Sequence, residues 1–285
     1  MDKLLQWSIA QQSGDKEAME RIGQPDPEML KQLFGGPDEP TLMKQAIEVV
    51  NNPEATQEAK EVALENFEML IENMDNANNI ENMKLWPSVI AQLQADAVSL
   101  RVLSASIVAI ATQNNPASQE AFFKADNGFL QLIELASADL TPKELRMKCL
   151  FALSSTVRNY KIAADRFVEL GGFKALQLLP SNDDQKMLLR KLSLLSALLS
   201  TGLDNVKTEH FQSEKLVENL IDFISVDGHI GCIDKTLNIL SQLHAMKFPF
   251  TESEITQLAS KLDAIDHMKD QLSYDDFETA KKVVL

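Results

Sequence analysis

The sequence predicts an all-α chain built as a solenoid of repeated helical units, and three observations carry that prediction. First, apolar residues recur with a nearly fixed step. Phe123, Phe167 and Phe211 stand 44 residues apart, and so do Phe129, Phe173 and Val217, Leu132, Leu176 and Leu220, and Leu135, Leu179 and Phe223. The pairs Leu100-Arg101, Leu145-Arg146 and Leu189-Arg190 follow at spacings of 45 and then 44. Second, apolar residues within the chain fall at helical spacing: Val62, Leu64, Phe67, Leu70 and Ile71 give the i, i+3, i+4, i+7 stripe of a buried helical face. Third, the composition suits helices. Of 285 residues only 10 are Gly and 10 Pro, aromatics are 6%, and 45% hydrophobic with 24% charged is the balance of a globular chain rather than a disordered one.

A period near 44 lies in the range of armadillo and HEAT repeats. Long helices are expected near 97–113, 142–158, 185–200 and 231–246, with shorter ones near 116–124, 127–137, 161–169, 171–179 and 213–224. One long helix and two short ones per period is the armadillo arrangement, so the fold expected is a right-handed armadillo-like helical solenoid with an N-terminal arm and C-terminal capping helices. Asn115-Pro116, Thr141-Pro142, Gly171-Gly172, Pro180 and Gly202 punctuate it between helices. Residues 1–41 differ: a short helix capped by Ser13 and ending at Gly23 precedes Pro25 and Pro27, and Gly35-Gly36-Pro37 stops another turn, so this segment is read as a partly flexible arm. The repeats are assigned to 42–262. Residues 263–285 form the capping end, with Ser273 as N-cap and Phe277, Ala280 and Val284 covering the last repeat, since an open solenoid end needs a cap with a polar outer face.

Charge and motifs exclude several functions. Lys+Arg is 27 against Asp+Glu 42, a net charge of −15, so no nucleic-acid partner is expected. Cys149 and Cys232 form no CxxC pair, and Cys149 in Lys148-Cys149-Leu150-Phe151 reads as a small core residue. The longest apolar runs, such as Ile107 to Ala111, are far short of a membrane span, and the start of the chain has no signal-peptide stretch, so the expected location is cytoplasmic. No phosphate loop, dinucleotide fingerprint, HExxH or GxSxG elbow occurs, and His210, His229, His244 and His267 stand singly. No catalytic residue, metal or cofactor is assigned, and the chain is not expected to be an enzyme. The tryptophan ladder that importin-like armadillo adaptors use to hold basic peptides is absent too, because Trp7 and Trp86 fall on no third helix.

Specific motifs point further. Glu65 to Trp86 reads ENFEMLIENMDNANNIENMKLW; Leu4-Leu5-Gln6-Trp7-Ser8-Ile9-Ala10 opens the chain, and Gln24-Pro25-Asp26-Pro27 is followed by Leu33-Phe34-Gly35-Gly36. With these segments the whole chain resembles the armadillo-type nucleotide exchange factors of the seventy-kilodalton heat-shock chaperones. The likeness is to the cytosolic Fes-one type, related to the heat-shock-binding-protein-one type. The resemblance implies that the concave side embraces lobe II of the chaperone's ATPase domain, so that ADP leaves and the client is released. Links to protein folding, quality control and translation come from the resemblance alone.

Site residues follow from it. Ala77, within Asp75-Asn76-Ala77-Asn78-Asn79, is matched to a contact motif in which a small side chain lets the backbone approach closely; an ordinary interhelical turn is the other reading. Arg190 is expected to pair bidentately with a chaperone carboxylate, or else locally with Asp183 or Asp184. Asn76, Asn78, Asn79, Glu68, Glu72, Asn114 and Asn159 are further candidates, the last two equally suited to satisfying backbone groups at a helix end. Leu4, Leu5, Trp7 and Ile9 either mimic a client peptide or pack on the first repeat. The partner expected is the ATPase domain of a cytosolic chaperone, bound by a monomer; a peptide-binding adaptor without effect on nucleotide is the alternative.

Overall fold

The structure, a computed structural model, describes residues 38–177 and 184–284. By internal contacts the chain divides into two units, Met1–Leu42 and Met43–Leu285. Of the first, only residues 38–42 are described, so the arm and its Leu4, Leu5, Trp7 and Ile9 lie outside the described residues, as do Leu179 and Asp183.

The described residues hold helices and no strand. Two helices come first, α1 (Glu39–Asn51) and α2 (Gln57–Leu70). A three-part unit then repeats five times. Its first copy is α3 (Met74–Asn82), α4 (Trp86–Ala91) with a 3-10 turn at Gln92–Gln94, and the long α5 (Val98–Thr112). The second is α6 (Pro116–Lys124), α7 (Gly128–Ser137) and α8 (Lys143–Val157); the third is α9 (Lys161–Glu169), a 3-10 helix at Gly172–Leu176 and α10 (Gln185–Leu199). The fourth is α11 (Asn205–Ser213), α12 (Leu216–Asp222) and α13 (Ile230–Ala245), and the last is α14 (Glu252–Ile265), a 3-10 helix at Asp266–Gln271 and α15 (Tyr274–Lys281). α11 falls where the sequence suggests only a gap. The expected boundary after residue 41 lies inside α1, and the one after residue 262 lies inside α14.

The long helices stack in chain order, α2 on α5, then α8, α10, α13 and finally α15. Each presents an apolar stripe to its neighbours, and Leu100, Leu145, Leu150, Leu153, Leu192, Leu195, Leu237 and Leu240 are buried along the stack. Steric fit sets the repeat register. A Cβ on Gly172 would stand 2.5–2.6 Å from ring carbons of Phe167, and one on Gly128 would meet Ile90 and Phe122 at 2.9–3.0 Å. The partner of Phe167 and Phe211 in the second unit is thus Phe122, wholly buried against Trp86 at 5.3 Å, and not Phe123. One residue along a helix is a turn of about 100°, which moves Phe123 to a half-buried flank where it meets Phe129 and Tyr160 edge-on. Val62 departs from the expected stripe as well: it is 50% exposed, while Leu64, Phe67 and Ile71 are buried.

Candidate functional site

The long helices carry a polar row along their stack. The Ser106 hydroxyl donates to a Glu68 carboxylate oxygen and accepts from Lys148 Nζ at 2.8 Å, which joins α2, α5 and α8 side by side. Ser99 bonds Glu61 in the same way two turns earlier, holding that carboxyl below its usual range, with Gln57 adding to the effect. Farther along, Gln242 Nε2 donates to Ser196 Oγ at 3.0 Å and to Asn238 Oδ1 at 2.8 Å, and Asn238 Nδ2 reaches the Asp276 carboxylate at 3.3 Å, joining α10, α13 and α15. Because the α2-α5-α8 and α10-α13-α15 bonds run between neighbouring units, they fix helix register as well as satisfying half-buried polar atoms.

Arg190 sits in the centre of this row. Its guanidinium lies over the Phe151 ring, 4.4 Å from the centroid. Of the two local partners the sequence offers, Asp183 is outside the described residues, and Asp184 is engaged elsewhere, capping α10 through the Met187 N–H at 2.9 Å and pairing with Lys143. Among the described residues Arg190 makes no ion pair, and burial lowers its pKa below the usual guanidinium value. Phe151 is also one wall of a cavity of about 230 Å³ bounded by Asn114, Ser154, Ser155, Arg158 and Ser193. Asn114 thus lines a cavity whose Phe151 wall also carries the Arg190 guanidinium.

The other candidates divide. Asn114 and Asn159 are exposed at the ends of α5 and α8 with φ of 53° and 56°, left-handed values that Asn tolerates better than most residues. Asn159 also donates its backbone N–H to Ser200 Oγ at 2.8 Å. Glu68 lies in the row; Glu72 is exposed in the turn after α2. Ala77 and Asn76 belong to helix α3 rather than to an interhelical turn, and both are 3% exposed, so close approach of a partner there would be to the helix surface around a small side chain. Ala77 faces the apolar core, and Asn76 Nδ2 donates to the Leu70 carbonyl at 2.9 Å. Asn78 and Asn79 are half-buried on the same helix, Asn78 Oδ1 accepting from Ser118 Oγ at 3.3 Å and Asn79 Oδ1 from Asn82 at 3.1 Å. Ser273 stands at the start of α15, but its side chain makes no capping bond; its backbone N–H donates to Asp234 Oδ1 at 2.7 Å.

Sequence reasoning missed Phe151, Arg158 and Lys235. It placed Arg190 with Arg101 and Arg146, whereas the helix starts at 98, 143, 185 and 230 give another register. Lys148, Arg190 and Lys235 are each the sixth residue of their long helix. Arg146 is a different structural position: its Nη2 donates to the carbonyls of Ala138 and Asp139 at 2.7 and 2.9 Å, closing the loop before α8. Aligning the ends of the long helices rather than the Leu-Arg pairs is the signal that finds the true equivalence.

Among the described residues no group of His, Cys, Asp and Glu is placed to hold a metal, and no helix is long and apolar enough to cross a membrane. Cys149 is buried in α8, and burial pushes its thiol up to about 12. What the row offers is a polar, partly cationic surface rather than a catalytic or metal centre.

Comparisons with known proteins bear on which one. Residues 1–80 match the family model for the nucleotide exchange factor Fes1, and residues 76–223 match that of the SIL1/FES1/HPBP1 C-terminal domain. Over all of both chains the sequence is 58% identical to the Hsp70 nucleotide exchange factor FES1 of Scheffersomyces stipitis and 43% identical to that of Saccharomyces cerevisiae. Among solved structures, the designed armadillo repeat protein YIII(Dq)4CqI aligns with a TM-score of 0.69 at 12% identity, covering 85% of this chain and 98% of its own. That likeness shows the armadillo fold.

Proposed function

The chain belongs to the Fes1 family of Hsp70 nucleotide exchange factors, and we propose that it works by binding the ATPase domain of a cytosolic Hsp70 through its row of long helices, without a catalytic step of its own. Full-length identity to the Fes1 proteins is the observation that carries this reading. The row supports it with a half-buried guanidinium, Arg190, that has no carboxylate partner among the described residues of a chain rich in carboxylates.

Exchange needs no chemistry. A factor that binds the open nucleotide cleft more tightly than the closed one must weaken ADP by the same factor, because the two bindings are linked through one conformational equilibrium. A tenfold change in ADP affinity needs a coupling of about 1.4 kcal/mol. Arg190 can contribute by exchanging its contact with Phe151 for a bidentate bond to a carboxylate. Packing of α15 on the last long helix closes the stack and supports a monomer, and the resemblance to the cytosolic branch supports a cytoplasmic location.

The test is release of a fluorescent ADP analogue from a cytosolic Hsp70 with and without the chain. Acceleration of about tenfold or more, equivalent to about 1.4 kcal/mol in the release barrier, is expected. Binding without acceleration would leave the adaptor reading in its place. Deleting residues 1–41 is expected to leave ADP release intact and to impair client release; unchanged client release would remove the client-mimicking role of Leu4, Leu5, Trp7 and Ile9.

A further inference from the structure

Lys148, Arg190 and Lys235 occupy the same position on three successive long helices, α8, α10 and α13. Packed helices lie about 8–10 Å apart, so three cations at one register form a row with roughly that spacing. Arg158 adds a fourth. It projects from the end of α8 to the α10 backbone, where Nη2 donates to the Ser193 carbonyl at 3.3 Å, and it lines the cavity beside Phe151.

These cations are not neutralised within the described chain. Among the described residues Arg158, Arg190 and Lys235 form no ion pair, and Lys148 reaches Glu68 only through the Ser106 hydroxyl. The surroundings make that costly. Burial lowers the pKa of both arginines, and burial together with the Arg158 charge lowers that of Lys235, with Asp276 opposing. A guanidinium carries five donors, and Arg158 uses one of them in a long bond to a backbone carbonyl. Lys124, Lys161 and Lys281, by contrast, each take a nearby carboxylate. In a chain with 42 acidic and 27 basic residues, these half-buried cations lie side by side on the row that carries Arg190 with no direct ion pair among the described residues, which leaves their donors available to a partner's carboxylates.

We infer that Lys148, Arg158 and Lys235 extend the Arg190 contact into an anion-accepting strip that receives a run of carboxylates on the partner, with Arg158 and its cavity taking one acidic side chain. The inference rests on the reading that the row is the Hsp70-binding face. It adds the chemistry of what docks there, an acidic surface segment rather than a basic or apolar one. Charge-assisted pairing of half-buried groups then supplies the specificity, because each cation has already lost much of its hydration before the partner arrives.

Two measurements test it. In the first, the affinity of an isolated Hsp70 ATPase domain is measured for the chain and for Arg158→Gln, Lys235→Gln, the double variant and the reversal Lys235→Glu, with Lys161→Gln as control. Each neutralisation is expected to weaken binding by about tenfold and the reversal by more, with the control unchanged and circular dichroism the same throughout. In the second, a fluorescein-labelled peptide of alternating Glu and Gly residues is titrated directly, with a Lys-Gly peptide for comparison. The chain is expected to bind the acidic peptide in preference, and the double variant to lose that preference. Wild-type acceleration of ADP release with all variants binding within twofold of it would overturn the strip and leave the exchange function standing. Loss of ADP release with retained, variant-sensitive binding of the acidic peptide would do the reverse. Preference for the basic peptide sinks the strip in either case.

Discussion

At the scale of the residue, burial decides which side chains report on binding. Ala77 is enclosed in the core and Arg190 is at the surface of the row, so substitutions at the two test different things. Ala77→Arg forces a long charged side chain into close packing and is expected to cost about 1–3 kcal/mol of stability, visible as a lower Tm before any partner is added. Arg190→Ala should leave Tm nearly unchanged and weaken binding of the ATPase domain; a wild-type affinity for it would remove Arg190 from the site. Gly172→Ala is a second packing test. Its new Cβ meets the Phe167 ring well inside contact distance, so a loss of about 1–3 kcal/mol is expected, read by urea denaturation. The sequence marks Gly171-Gly172 as a break but not why the second glycine is needed. Gly171 has φ of 72° and open space around it, whereas Gly172 lies under an aromatic ring, a contact made by two residues whose facing is settled only by the turn between them.

At the scale of the element, the helix ends carry the unused stability. α3 and α13 both end in a Schellman motif: Leu85 N–H bonds the Ile80 carbonyl at 2.8 Å and Lys84 N–H that of Glu81 at 2.9 Å, and Phe248 and Lys247 repeat the pattern on Leu243 and His244 at 3.0 and 2.9 Å. The left-handed residue in each is a lysine, with φ of 57° and 59°, where glycine is usual. Lys84→Gly and Lys247→Gly are each expected to stabilise the chain, by up to about 1 kcal/mol; a fall in Tm would show that the lysine stems contribute packing that outweighs the backbone strain. Asp184 gives α10 a pH limit. Its bond to Lys143 and then its cap on Met187 hold its carboxyl below the usual range. The cap's contribution is therefore complete above the ordinary aspartate pKa, about 3.9, and is lost as pH falls through the lowered value. Helix positions were legible in the sequence because apolar periodicity is local: the predicted 116–124 and 161–169 coincide with α6 and α9. α11 was not, because Asn205–Ser213 buries only Lys207 and Phe211 and so carries little stripe to read.

At the scale of the whole molecule, stacking in chain order makes stability close to a sum of neighbouring contacts. Removing residues 273–285 takes away α15 and uncovers the face of α13 on which it packs; the truncated chain is expected to lose Tm and to self-associate in analytical ultracentrifugation, and a stable monomer would show that α14 alone suffices as the cap. The repeat itself was legible because a period survives substitution at any one position. The cationic row was not, since it depends on where helices of unequal separation begin: long helices start 45, 42 and 45 residues apart, and the shortened middle step brings Arg190 into line with Lys148 rather than Arg146. The row also has a kinetic meaning. A chain of net charge −15 repels an acidic partner as it approaches to within about the Debye length, about 8 Å at physiological ionic strength, while the strip attracts it on contact. Encounter and residence then answer to salt in opposite senses: added salt should raise the on-rate by screening the net-charge repulsion and shorten the bound lifetime by loosening the contact, so the complex turns over faster in both directions.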